Sequence, residues 1–211
     1  MSTPSFERLG AACFTMGSAL LAAYAILFSL LLPIHSDGMD YSRLVLNPSW
    51  ARLTLVAFIG VVLMLAGMDA LYSRVRVTAG FAGTIGFLFT KTALLLQACV
   101  LTWELLLDPV VAAHSESAFL LREGIIATDP AMVNFRWASV ITIVVGTVLF
   151  GLAVYRSRQF SRTALALIAV GALVYAIGPM VSVLLTVGGV ITLSVGCVLV
   201  GVRLWRVKEA R

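Results

Sequence analysis

Charge is scarce in this sequence. Asp, Glu, Lys and Arg make up 12% of its 211 residues, about half the share of a soluble domain, so the chain lacks the material for a water-facing surface. Histidine occurs twice and cysteine three times. Cys13, Cys99 and Cys197 all sit inside apolar stretches, with neither CxxC spacing nor a nearby histidine, and read as small packing residues rather than metal or redox ligands. There is no HExxH, HxxxH, GxSxG, P-loop or GxGxxG. Their absence removes the zinc-peptidase, serine-hydrolase and nucleotide-driven machineries. Two histidines outside the apolar stretches also cannot supply mid-membrane haem ligation. No cofactor and no metal are expected.

What the chain has in excess is apolar sequence, at 61% of residues with a mean hydropathy of +1.03. A helix needs about 20 apolar residues to cross a hydrocarbon core of about 30 Å. Such runs occur at 9–33, 52–72, 80–107, 137–155, 162–178 and 181–205. This predicts an all-α, polytopic transmembrane helix bundle of six spans in a single domain over 1–211, with no room for a separate soluble catalytic domain. The run from Thr163 to Trp205 is about twice one crossing, and Gly178-Pro179 near its middle is the expected point of reversal. The first run is too long for the apolar centre of a cleaved signal and is expected to be retained as a span.

A net charge of +5 would suggest nucleic acid for a soluble protein. Here the basic residues lie in short segments between apolar runs and serve better as topology signals, so no nucleic-acid partner is expected. With the N-terminus inside, Arg8, Arg74, Arg76, Arg156, Arg158, Arg162, Arg203, Arg206, Lys208 and Arg211 are cytoplasmic, ten against four outside: Arg43, Arg52, Arg122 and Arg136. Trp50, Trp103 and Trp137 then fall at outer ends, and Tyr72, Tyr155 and Trp205 at inner ends, where amphipathic rings prefer to lie. Both signals predict N-in/C-in. The long connections 34–51 and 108–136 are then external, and Ser115–Ala127 has the spacing of one short helix on the headgroup layer, either passive or a lid.

Small residues recurring on one face mark tight helix contacts in lipid. Ala164, Gly171 and Gly178 recur every seven residues in the fifth span, and Ser182, Gly189 and Gly196 in the sixth, which predicts a close antiparallel pair. Gly80, Gly83 and Gly86 at the start of the third span indicate an irregular turn, a close neighbour, or a broken helix of the transporter type. Ala70-Leu71-Tyr72-Ser73-Arg74 and Ala153-Val154-Tyr155-Arg156-Ser157 hint at a parallel repeat relating spans two and three to spans four and five.

Charges within apolar spans cost about 2.5 to 3.5 kcal/mol each at a helix centre, so Asp69, Lys91 and Glu104 each need a reason. Lys91 leans toward its helix N-terminus, the side on which Asp69 lies. A Lys91–Asp69 ion pair is expected, either pinning two helices or placing Lys91 near the midplane to meet an anion or a proton. Glu104 and Asp108 share a helical face near the outer surface. With His35 and His114 they form a candidate external polar site, although neither histidine stands at helical spacing from another ligand.

The stretch Ala66-Gly67-Met68-Asp69-Ala70-Leu71-Tyr72, the segment from Glu104 to Asp108-Pro109 and the closing Leu204-Trp205-Arg206 resemble an uncharacterised group of bacterial six-span membrane proteins. The resemblance implies a bacterial cytoplasmic-membrane location and carries no activity with it. Three functions fit these residues. The first expectation is a non-enzymatic bundle acting through partner helices, as an accessory or sensor subunit, whose partners are the bilayer and another membrane subunit or a second copy. A small-solute or ion transporter using Lys91 is the alternative, and an externally facing membrane enzyme using Glu104, Asp108, His35 or His114 is the third.

Overall fold

Two dipeptides set where long helices begin. Asn47-Pro48 and Asp129-Pro130 each place a side-chain acceptor before a proline, whose fixed φ suits the first helical position. Asn47 Oδ1 accepts from the Ser49 amide at 2.9 Å, and Asp129 Oδ1 from the Ala131 amide at 2.9 Å. The computed structural model describes residues 4–32 and 40–206, and His35, Asp37, Lys208 and Arg211 lie outside them. The described residues form helices α1 (Pro4–Leu31), α2 (Tyr41–Val45), α3 (Pro48–Ala113), α4 (Ala118–Arg122), α5 (Ile125–Thr128), α6 (Pro130–Arg156), α7 (Arg162–Val181) and α8 (Val183–Arg206). No strand occurs among them. Five helices, α1, α3, α6, α7 and α8, are long and apolar enough to cross a membrane.

Helix α3 would be about 100 Å long if straight. Instead it folds back at Gly80, whose φ of 59° and ψ of −169° lie in a region open essentially to glycine alone. The limbs 48–79 and 81–113 then run antiparallel. Lys91 reaches Asp69, Tyr72 Oη lies 2.8 Å from Thr84 Oγ1, and the Trp50 indole N–H donates to the Glu104 carbonyl at 2.9 Å.

Glycines set the close approaches. A Cβ on Gly67 would strike α1 at Gly10 and Phe14, and one on Gly17 would strike the α3 backbone at Gly60. Gly86 abuts Leu149 and Phe150 of α6, and Gly146 answers against Thr90. Between α7 and α8, Gly171 meets Leu193, Gly178 meets Thr186, Gly189 meets Val174 and Tyr175, and Gly196 meets Ala164 and Ile168. The helices thus form a ring in which α1 touches α3 and α8, α3 touches α6, and α7 touches α8, while α6 and α7 make much the weaker contact.

One end of the ring is basic. Arg74 pairs with Glu7 at 2.6 Å, and Gln159 in the α6–α7 connection donates to the Arg74 carbonyl at 3.3 Å. The other end is capped by α2 and α4 over a small apolar cluster containing Leu32, Leu44, Trp50, Leu53, Ala112 and Leu121.

Several expectations need correction. The α7–α8 reversal falls at Ser182, in extended conformation, rather than at Gly178-Pro179. Pro179 fits inside the last turn of α7, and Gly178 is occupied in packing on Thr186. The connection 108–136 is mostly helical, because α3 continues through Pro109 to Ala113 and α6 starts at its Asp129 cap. The single helix expected over Ser115–Ala127 is two short ones, broken at Gly124, whose φ is 69°. Ser117, at the N-cap of α4, makes no side-chain cap bond; its hydroxyl donates to the Val111 carbonyl at 2.9 Å. The 2–3 and 4–5 hairpins also pack differently. Tyr72 stacks on Phe87 between the limbs of α3, with ring centroids 4.2 Å apart, whereas Tyr155 is exposed beneath Arg162.

Candidate functional site

Asp69, Lys91 and Glu104, the charges expected within apolar spans, fall into two separate places. Lys91 Nζ lies 3.0 Å and 3.1 Å from the two carboxylate oxygens of Asp69, and 5.4 Å from the centre of the Phe87 ring. These side chains lie at the outer surface of the bundle, with 30% and 48% of their areas exposed, and neither lines the internal chamber. Lys91 and Asp69 thus form the expected pair, and they do so away from the chamber. The tilt of a lysine stem toward its helix N-terminus carries it into the outer groove between the limbs of α3.

Glu104 belongs to the inside. The ring encloses a chamber of about 1230 Å³, lined by all the long helices and running from Tyr155 and Arg162 at the basic end to Leu121 and Gly124 at the capped end. Its middle is apolar, with Phe14, Met64, Met68, Ile168 and Leu193 among the lining side chains. Val148, Leu152 and Tyr155 of α6, and Ala166 and Ala169 of α7, line it while remaining exposed. The weakly packed seam between these two helices is therefore its side opening.

Polar groups gather toward the capped end. Tyr175 of α7 donates to Gln97 Oε1 of α3 at 2.9 Å, and Tyr41 of α2 donates to Asp108 at 2.9 Å. Burial pushes the Tyr41 phenol far above its ordinary range, so it remains the donor at neutral pH. Trp50 is held by its indole N–H on the Glu104 carbonyl. The Glu104 carboxylate itself has no hydrogen-bond or ion-pair partner among the described residues. It is enclosed by the bundle yet faces the chamber. Arg136, which shares the chamber wall, is close enough to affect it electrostatically without forming a salt bridge.

Of the four residues expected at the external polar site, the structure joins only Glu104 and Asp108, one helical turn apart. His114 is exposed beyond the end of α3, its Nδ1 2.8 Å from the Val110 carbonyl of its own helix. His35 lies outside the described residues. Among the described residues no three His, Cys, Asp or Glu side chains come together as a metal site would require.

Sequence reading missed Gln97, Tyr24, Tyr175 and Arg136. Gln97 and Tyr175 are polar groups on spans, which was the signal available for each. The α1–α3 seam was legible too, since Gly10 and Gly17, and Gly60 and Gly67, repeat every seven residues like the stripes found later in the chain.

The fold defines a class, an all-helical bundle with several helices of membrane-crossing length and composition. Beyond that class, comparison with protein-family models, curated proteins and solved structures finds no match. The functional reading rests on the chain's own residues.

Proposed function

We propose that this chain is a non-enzymatic, multi-pass cell-membrane protein that takes up an amphiphilic molecule from the surrounding bilayer. The carrying observation is the large, mostly apolar chamber, open at the α6–α7 seam, with polar groups concentrated toward one end. A water-soluble substrate gains little from such walls, while an alkyl chain passing into them from the bilayer keeps apolar surroundings throughout. Six crossings follow if each limb of α3 crosses once. Both termini then lie in the cytoplasm with the arginine-rich end, and the polar end of the chamber faces the outer leaflet. A reporter fused after Arg211 is expected to read cytoplasmic.

The direct test uses a phospholipid carrying a photoactivatable group at its acyl-chain end. Adducts are expected inside the ring, on Met64, Met68 or Leu193. Adducts confined to outer-surface residues such as Leu55, Ile59, Leu88 and Leu95 would overturn the reading.

A second reading, action through partner helices as a subunit of a larger membrane assembly, is favoured by the position of Asp69 and Lys91. An ion pair partly exposed on the bundle's outer wall is poorly solvated by hydrocarbon, and polar groups of a neighbouring helix would relieve it.

A further inference from the structure

We infer that the polar end of the chamber is a binding site for an organic ammonium group, with Glu104 as its counter-ion. This rests on the amphiphile reading above and names the head group.

Two independent features converge on that chemistry. One is charge. Glu104 is an enclosed carboxylate facing the chamber without an in-chain partner, and Asp108 adds a second carboxylate one turn along the same helix. An ion left unpaired away from water is unfavourable unless something in the site compensates it. Asp69 shows the contrast within the same protein, since Lys91 neutralises it directly.

The other feature is aromatic. Tyr24, Phe28, Trp50 and Tyr41 all border the chamber and form a contiguous wall. The ring centroids are 5.4 Å apart for Tyr24 and Phe28, 5.9 Å for Phe28 and Trp50, and 5.6 Å for Tyr41 and Trp50. The polar tips of Trp50 and Tyr41 are committed to the Glu104 carbonyl and to Asp108, which fixes the orientation of both rings. Aromatic faces beside a carboxylate attract ammonium groups through the ring quadrupole, most strongly where water is excluded. An anionic head group would meet the Glu104 carboxylate there with Asp108 buried behind it, and a neutral one would leave Glu104 without a directly bonded partner.

The ammonium can come from a zwitterionic phospholipid, whose phosphate would then lie near Arg136, or from a lipophilic amine without phosphate. Native mass spectrometry of the full chain in non-ionic detergent separates these. The probes are dioleoyl phosphatidylethanolamine, hexadecylamine, dioleoyl phosphatidylglycerol and dioleoylglycerol. Wild-type protein is expected to retain at least one ammonium probe about tenfold better than phosphatidylglycerol, and Glu104→Gln is expected to abolish that preference while still retaining dioleoylglycerol. Preference for phosphatidylethanolamine over the amine assigns the source to lipid, and the reverse assigns it to a free amine.

Equal retention of phosphatidylglycerol, or an unchanged preference in Glu104→Gln, overturns the ammonium site and leaves the amphiphile reading standing. Failure of wild type to retain any of the four, dioleoylglycerol included, overturns both. A measurement on wild type removes dependence on the variant's folding. Dicyclohexylcarbodiimide is expected to label Glu104, and the retained ammonium probe is expected to protect it. Protection by phosphatidylglycerol instead counts against the site.

Discussion

The ring of helices closes differently on its two sides. Where α1 meets α3, α3 meets α6 and α7 meets α8, glycines bring backbones so close that a single added carbon would collide with the neighbour. Where α6 meets α7, Gly151 faces nothing within contact distance and the exposed side chains border the chamber instead. Glycine in these long apolar helices thus has two meanings. It permits contact on the closed side and leaves room on the open side, and only the partner across from it tells which.

The largest expected effect comes from breaking a closed seam. Gly189→Leu places a side chain into the Val174–Tyr175 backbone of α7, and loss of folded, monodisperse protein is expected, since overpacking even where side chains can yield costs about 1 to 3 kcal/mol. Gly188→Leu, one residue away and facing open space, is expected to leave size-exclusion and thermal-melting profiles unchanged. Equal damage from both would mean that seam packing does not hold α7 to α8.

Next in size is the outer ion pair. Asp69→Ala leaves Lys91 without its carboxylate and is expected to destabilise the protein by about 2.5 to 3.5 kcal/mol if hydrocarbon surrounds it, while Asp69→Leu with Lys91→Leu recovers most of that loss. A double variant as unstable as the single one would show that the charges do more than neutralise each other.

The open seam is tested by filling it. Gly151→Trp is expected to lower co-purified or photo-crosslinked lipid severalfold with a change in stability within about 0.5 kcal/mol. Unaltered lipid retention would remove the side opening as an entry route.

The smallest effect is local and pH-dependent. The Asp40 carboxylate accepts from the Ser42 hydroxyl at 2.7 Å and from its amide at 2.9 Å, and these bonds, the hydroxyl first, hold its carboxyl below the usual range. The depressed group stabilises the start of α2 at neutral pH, and this contribution disappears as pH falls through the lowered value. Exchange protection of the Ser42 amide is expected to persist down to about pH 4 and fade below it.

Much of this contrast could be read from the chain. The small-residue stripes of α7 and α8 and the approach of Lys91 to Asp69 follow from periodicity or from side-chain direction along one helix, whereas Gly80, Gly83 and Gly86 left a turn, a close neighbour and a broken helix open, and the structure turns the chain at Gly80. Two expectations went astray because cap chemistry outweighs hydropathy at helix ends. Asn47-Pro48 and Asp129-Pro130 start helices well before their apolar runs begin, and Pro179 sits in a last turn rather than forming the reversal. The candidate site was half legible. Glu104 and Asp108 stood out as carboxylates one turn apart, but His114 was placed with them only because it lies in the same external connection, and the aromatic wall comes from three separate helices.

Composition and periodicity alone determined that the chain is helical, which stretches are long and apolar enough to cross a membrane, and where glycines permit close contact, because each depends on the local spacing of residue types. Tertiary structure decided which charge faces outward and which inward, and which seam stays open. Those depend on rotations of helices about their axes and on the partner across each seam, and neither is encoded in any single segment.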